Sequence, residues 1–263
     1  MQRFILLLLL LVITCITSAQ VGLAKTNDKL ALIHINVVDV ESGGLLRDRT
    51  VLIADNRIVQ IAATTRTSVP TKTRVVDATG KYLIPGLWDM HAHSYTEKET
   101  REIFFPLFVA NGITGIRDMC GGCFAVEDED VDGAVTSVNK WRKQIAAGKL
   151  VAPRIGAFGY IVYGPVEPTK SRLLRMETPA DARELVNWFQ KAGVGFIKTY
   201  NKIPRNSYFA LADEANRIGI PFAGHVPWAI SAKEASDAGQ RSLTLSRQAC
   251  AVTGDSCFIE KCF

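Results

Sequence analysis

The sequence predicts an α/β protein built on a parallel sheet and entered through a smaller all-β region. Three observations predict it. From Leu87 onward, apolar runs of strand length alternate with helical stretches, the pattern of βαβ units. Before that point, Leu30 to Asp77 holds only short runs rich in branched residues, separated by turns. Between the two, Pro85-Gly86 breaks the chain.

Taken in order, residues 1–19 read as an export signal. Arg3 is a short positive region, Phe4 to Ile13 an unbroken apolar run, and Thr17-Ser18-Ala19 supplies small residues before a cut at Gln20. A second cut site follows Ala24, and Thr14 is a poor residue before a lipidated Cys15. The run is short for the ~30 Å of hydrocarbon in a bilayer. The expectation is an exported protein, periplasmic or secreted, with no stable membrane anchor. Residues 20–84 follow as a β region. Ala31 to Val38 alternates, Thr50–Ala54 and Arg57–Ile61 flank an Asp55-Asn56 turn as a hairpin, and Thr73–Asp77 is closed by Gly80. His34 falls here and reads as structural.

The region 85–242 carries the strand–helix repeat. The strands are Leu87–His93, Gly115–Met119, Arg154–Ala157, Gly195–Tyr200 and Ile220–His225. The helices are Glu97–Asn111, Val138–Ala147, Thr178–Ala192, Pro204 or Arg205 to Ile218, and Ser231–Ala238. Thr178-Pro179 is a cap followed by proline at the first turn. Phe158 to Arg175, with Gly159 and Gly164, reads as a long loop of the kind that covers a substrate site. A sixth strand is due at Arg241-Ser242. Residues 243–263 form an atypical tail without clear periodicity.

The 263 residues allow one large domain or two small ones, and 48% hydrophobic with 22% charged residues is ordinary for a globular enzyme. A net charge of +5 is mild and spread along the chain. No basic stripe interleaved with aromatics is present, which excludes nucleic acid as a partner. Of six cysteines, Cys15 leaves with the signal and Cys250, Cys257 and Cys262 lie in the tail. Cys120-Gly-Gly-Cys123 is open to redox, zinc or disulfide chemistry, and export favours the disulfide.

The chemistry-bearing stretch is Leu83-Ile-Pro-Gly-Leu-Trp-Asp-Met-His91-Ala-His93, which holds two of the four histidines. On a strand, residues i and i+2 share a face, so both imidazoles would aim into one space, as a divalent cation needs. A bare His-x-His also fits a pair of surface or core histidines. Its position at the end of an apolar run after Pro-Gly favours metal.

This stretch resembles the metal signature of the amidohydrolase superfamily, in its imidazolonepropionase- and prolidase-like branch. The resemblance extends from about Leu30 to about Ser242. It implies a partial TIM-type (β/α)8 barrel, about five of eight units, with a small N-terminal β-sandwich portion. It further implies metal ligation by His91, His93, Lys198 and His225, each at a strand's C-terminal end, where barrel enzymes collect functional groups. Lys198 would bridge two divalent cations, zinc by ligand type, as a carbamate formed with carbon dioxide. The implied activity is hydrolysis of a C–N bond in a small amide, peptide-like or cyclic amide substrate by hydroxide at the binuclear site. Tyr200, two residues past Lys198, is a candidate substrate donor.

The pattern also departs from the family. No histidine follows His225, so the sixth-strand ligand is missing, as is the eighth-strand aspartate. The expectation is a truncated chain whose tail arises from a frame error or gene-end rearrangement. The alternatives are a short form that closes its barrel as a homo-oligomer, a catalytically inactive fragment, and a non-enzymatic binding protein.

Overall fold

Contacts divide the chain at Pro85/Gly86 into two units. The computed structural model describes residues 29–121, 131–165 and 174–244. The expected signal, Cys15, Cys123 and the three tail cysteines fall outside these residues, as does the Cys120 side chain. Among the described residues, no helix is long and apolar enough to cross a membrane.

The first unit is one five-stranded sheet. β1 (Lys29–Val38), β2 (Leu45–Ala54), β3 (Arg57–Ala63) and β4 (Thr73–Asp77) lie in the order β3-β2-β1-β4, and β5 (Tyr82–Leu83) also pairs with β1. The β2–β3 turn has positive φ at both Asp55 (50°) and Asn56 (59°), which matches the twist a two-residue hairpin needs. Ile35, Val37, Val51 and Ala78 form its core. Ile58, Val59, Ile61, Val75 and Val76 remain exposed. The expected sandwich is therefore represented by a single layer. His34 belongs to this sheet and bonds Asp48 through Nδ1 at 2.8 Å.

The second unit is a curled parallel sheet of six strands, a half-barrel. β6 (Leu87–Ser94), β7 (Ile113–Gly121), β8 (Arg154–Val162), β9 (Phe196–Thr199), β10 (Phe222–His225) and β11 (Leu243–Thr244) are neighbours in chain order. Between them run α1 (Glu97–Glu99), a π-helical stretch (Thr100–Phe104), α2 (Phe105–Ala110), α3 (Val131–Ala146), α4 (Pro179–Ala192), α5 (Arg205–Ile218) and α6 (Ala232–Asp237). Strand residues such as Ile116, Phe158, Tyr160, Ile197 and Phe222 share one core with Trp141, Phe189, Leu211 and Ala215 of the helices. Met119, Phe196 and Ala223 form a separate small cluster on the other face of the sheet.

Local chemistry sets the helix ends. Thr178 caps α4 by accepting from Asp181 N, Asp181 returns the bond, and Gly193 (φ 80°) takes the left-handed C-cap. Ser231 and Glu234 form the same reciprocal cap on α6.

Four boundaries differ from expectation. β8 continues to Val162, so the expected loop from Phe158 begins at Tyr163, which pairs with Arg175. Gly159 sits inside the strand because a Cβ there would lie 2.3 Å from the Phe196 ring. α3 starts at Val131 rather than Val138. The helix after β6 is interrupted by its π-helical stretch. Leu243–Thr244, assigned from sequence to the tail, pair with Gly224 and His225 as the sixth barrel strand.

Candidate metal centre

His91 and His93 end β6, their rings 5.2 Å apart between centroids and tilted by 52°. The segment is held from behind. Asp118 of β7, fully buried, accepts from Ser94 N at 3.3 Å and from Ser94 Oγ at 2.6 Å. Asp89 accepts from His91 N at 2.8 Å. The chain then turns at Tyr95, whose N–H donates to Thr100 Oγ1 at 2.8 Å, with Tyr95 stacked on Phe104 at 4.6 Å. The pairing of β6 with β7 shifts register three times, and β6 is an edge of the sheet.

Lys198 is the third residue of β9 and is 1% exposed. It stands in register with Ile161 on one side and Ala223 on the other. Gly224 makes room for its stem. A Cβ on Gly224, whose φ is +129°, would lie 2.6 Å from Lys198 Cδ and 2.6 Å from the Thr199 carbonyl oxygen. That glycine is required by a close approach as well as by its backbone.

His225 ends β10. Its Nδ1 lies 2.7 Å from Asn201 Oδ1. The Tyr200 ring stacks on it at 4.8 Å and 27°, and Tyr163 meets Tyr200 edge-on at 5.5 Å. Thr199 Oγ1 donates to the His225 carbonyl at 2.8 Å. Trp228 N donates to the Asn201 carbonyl at 2.8 Å, and Lys202 sits 5.6 Å over the Trp228 ring.

The electrostatics tie the groups together. Burial pushes the His225 imidazole down to about 3, with the Lys198 ammonium and then His91 and His93 adding to the effect. Burial likewise lowers His91 to about 4, followed by Lys198 and Arg117, while Asp89 opposes. Arg117 reaches from β7 to the Met90 carbonyl (2.7 Å) and to Ser242 Oγ (2.7 Å).

Imidazole nitrogens are donors that divalent cations such as zinc accept. Both imidazoles whose shifts are resolved are neutral at pH 7, the form that binds metal. A buried lysine lies within their field. Among the described residues, no three His, Cys, Asp or Glu side chains gather tightly enough to hold an ion on their own. Sequence reasoning named His91, His93, Lys198, His225 and Tyr200 but missed the supports. Asp118 was signalled by Arg117-Asp118 inside an apolar strand, and Gly224 by its place within a strand. Asn201 carried no signal, since its partner lies 24 residues away on another strand.

This geometry frames the comparisons with known proteins. No protein-family model matches the chain. Over 85 residues it is 41% identical to a dihydroorotase of Carboxydothermus hydrogenoformans, covering 31% of this chain and 19% of that protein. Over 79 residues it is 32% identical to an adenine deaminase of Mesorhizobium japonicum, covering 30% of this chain and 13% of that one. The structure of a putative prolidase from Bifidobacterium longum superposes with a TM-score of 0.61 at 30% identity, covering 76% of this chain and 50% of that one. The fold is a half-barrel of the TIM type, and the chain is related to the amidohydrolase superfamily. It spans half the length of that prolidase and under a fifth of that dihydroorotase.

Proposed function

We propose that this chain carries half of the barrel, and the greater part of the metal site, of a hydrolase that cleaves a C–N bond in a small amide, peptide-like or cyclic amide substrate. The observation that carries this reading is the meeting of His91, His93, Lys198 and His225 in one electrostatic field at the C-terminal ends of three strands. The relatives' names, a dihydroorotase, a deaminase and a prolidase, favour C–N chemistry.

In this reading His91 and His93 hold one divalent cation and His225 a second, with zinc fitting the imidazole donors. The Lys198 amine adds to carbon dioxide. Its nitrogen would form the new bond to carbon and one proton would leave to solvent, giving a carbamate whose single negative charge is shared by two oxygens that could each meet a cation. When bound, two such cations supply water acidic enough to attack at neutral pH and a Lewis acid for the carbonyl oxygen. Tyr200, its ring fixed on His225, offers its hydroxyl to substrate at the mouth. Asp118 and Gly224 keep the two halves of the ligand set in place. The signal at residues 1–19 would direct the protein to the periplasm or outside the cell.

Elemental analysis of the chain prepared with zinc and bicarbonate tests the reading. About two zinc ions per chain are expected, falling by about one in His91→Ala/His93→Ala. A metal content that ignores this double substitution sinks the proposal. A second reading, a metal-binding chain without turnover, is favoured by the sixth strand, where β11 presents Leu243 and Thr244 and no histidine. Metal retention with no cleavage across N-acyl amino acids, dipeptides and lactams selects it.

A further inference from the structure

We infer that Lys202, held over the Trp228 ring, is a specificity-determining residue that selects ligands carrying a carboxylate beside an apolar group. Its part in catalysis rests on the hydrolase reading above, and it names which amides that site takes; the binding preference itself does not need turnover.

Lys202 follows Thr199, the last residue of β9, and Trp228 follows His225, the last residue of β10, each at the same short remove. Both therefore lie at the end of the sheet where barrel enzymes collect functional groups. The Lys202 ammonium stands 5.6 Å from the centre of the Trp228 ring. The backbone under the pair is fixed on several sides. The Asn201 carbonyl accepts from Trp228 N at 2.8 Å, and Ile203 is buried in the main core. Gly164, just past β8, comes so close that a Cβ on it would lie 1.8 Å from the Lys202 carbonyl oxygen. The segments after β8, β9 and β10 are thus locked together beside the stacked rings of Tyr163, Tyr200 and His225. An ammonium carries three donors and no acceptor, so contact with a ring face on one side leaves donors to offer an anion on another. Trp228 is 49% exposed, and its indole gives a flat apolar surface next to that charge. A cation already placed by its backbone and its ring loses less freedom when an anion arrives. A neutral ligand of the same shape gains nothing from it, which is the basis of discrimination. A pair that served only to cover the indole would show no preference among ligands.

The test uses the full chain without zinc, so that no metal competes for the carboxylate. The probes are N-acetyl-phenylalanine and N-acetyl-phenylalaninamide, which differ in charge and hardly in shape. The chain has four tryptophans, so the Trp228 indole N–H is assigned in nitrogen-15 NMR by its absence from Trp228→Phe and followed through each titration. The acid is expected to bind about tenfold tighter than the amide at low salt. Lys202→Arg keeps that preference and Lys202→Gln removes it. Equal affinities in the wild type overturn the inference, as do a Trp228 signal that neither probe moves and a preference that survives Lys202→Gln. The wild-type ratio decides alone if a variant fails to fold. Zinc content separates this inference from the reading beneath it. A preference in a chain that takes up no zinc leaves Lys202 as a binding determinant while the hydrolase reading falls. Full zinc uptake with no preference sinks the role of Lys202 alone.

Discussion

The two halves of the candidate centre are built differently. His91 and His93 sit on an edge strand whose register slips three times. Leu87, Trp88 and Met90 of the same strand are about half exposed. Lys198 and His225 sit on interior strands in unbroken register, with Ile161, Ala223 and Gly224 packed around the lysine and Asn201 and Tyr200 against the imidazole. Interior strands fix side chains through neighbours on both sides. Among the described residues β6 pairs with β7 alone, and a buried carboxylate on β7 braces it. Placement of the Lys198–His225 half is thus a property of the sheet, whereas placement of the His91–His93 half hangs on a few polar contacts.

The largest way to break this contrast is Gly224→Ala. The added methyl meets the Lys198 stem and the Thr199 carbonyl at 2.6 Å each, in a backbone conformation that L residues rarely adopt. A loss of about 3 kcal/mol in unfolding free energy is expected, by urea titration. Zinc binding should weaken at His225 while the His91–His93 pair retains its ion.

Asp118→Ala strikes the other half. It leaves Ser94 N and Oγ buried without their acceptor, at a cost of about 2 kcal/mol. Metal loss should then begin at His91 and His93, visible as line broadening of those two imidazoles only. Equal loss at His225 would show the halves to be one unit.

A smaller effect sharpens the comparison through pH. Both His91 (about 4) and His225 (about 3) titrate below the ordinary value of 6.5 in the folded chain. The unfolded chain therefore takes up their protons first as the solution is acidified. Metal-free stability should be full above about pH 6.5 and decline as pH falls to about 4 for His91 and about 3 for His225. Urea midpoints measured from pH 7 to 4 should fall less steeply in His225→Gln than in His91→Gln, because the His225 imidazole is the more depressed.

The sequence made the strand–helix order legible because each unit has its own cue. Thr178-Pro179 opens α4, Gly219 closes α5, and Ser231 with Glu234 caps α6. The candidate ligand positions stood out for a related reason, since each falls at the end of a recognisable apolar run. What failed to show was anything depending on tertiary approach. Gly159 looked like a loop residue, yet it is a strand residue beneath the Phe196 ring. The π-helical stretch at Thr100–Phe104 left no trace in a pattern that still reads as helix. Asn201 looked like an ordinary loop polar residue because its partner arrives from the next unit.

The strict chain order of the six parallel strands bears on how the molecule comes into being. Every strand docks against one made before it, so the sheet can grow in the direction of translation, closing one helical crossover at each step. Among the described residues, the hydrogen bond from Arg117 to Ser242 spans 125 residues. It can form only after Ser242 has been made, and it acts as a latch that joins the second strand of the half-barrel to the segment leading into the sixth.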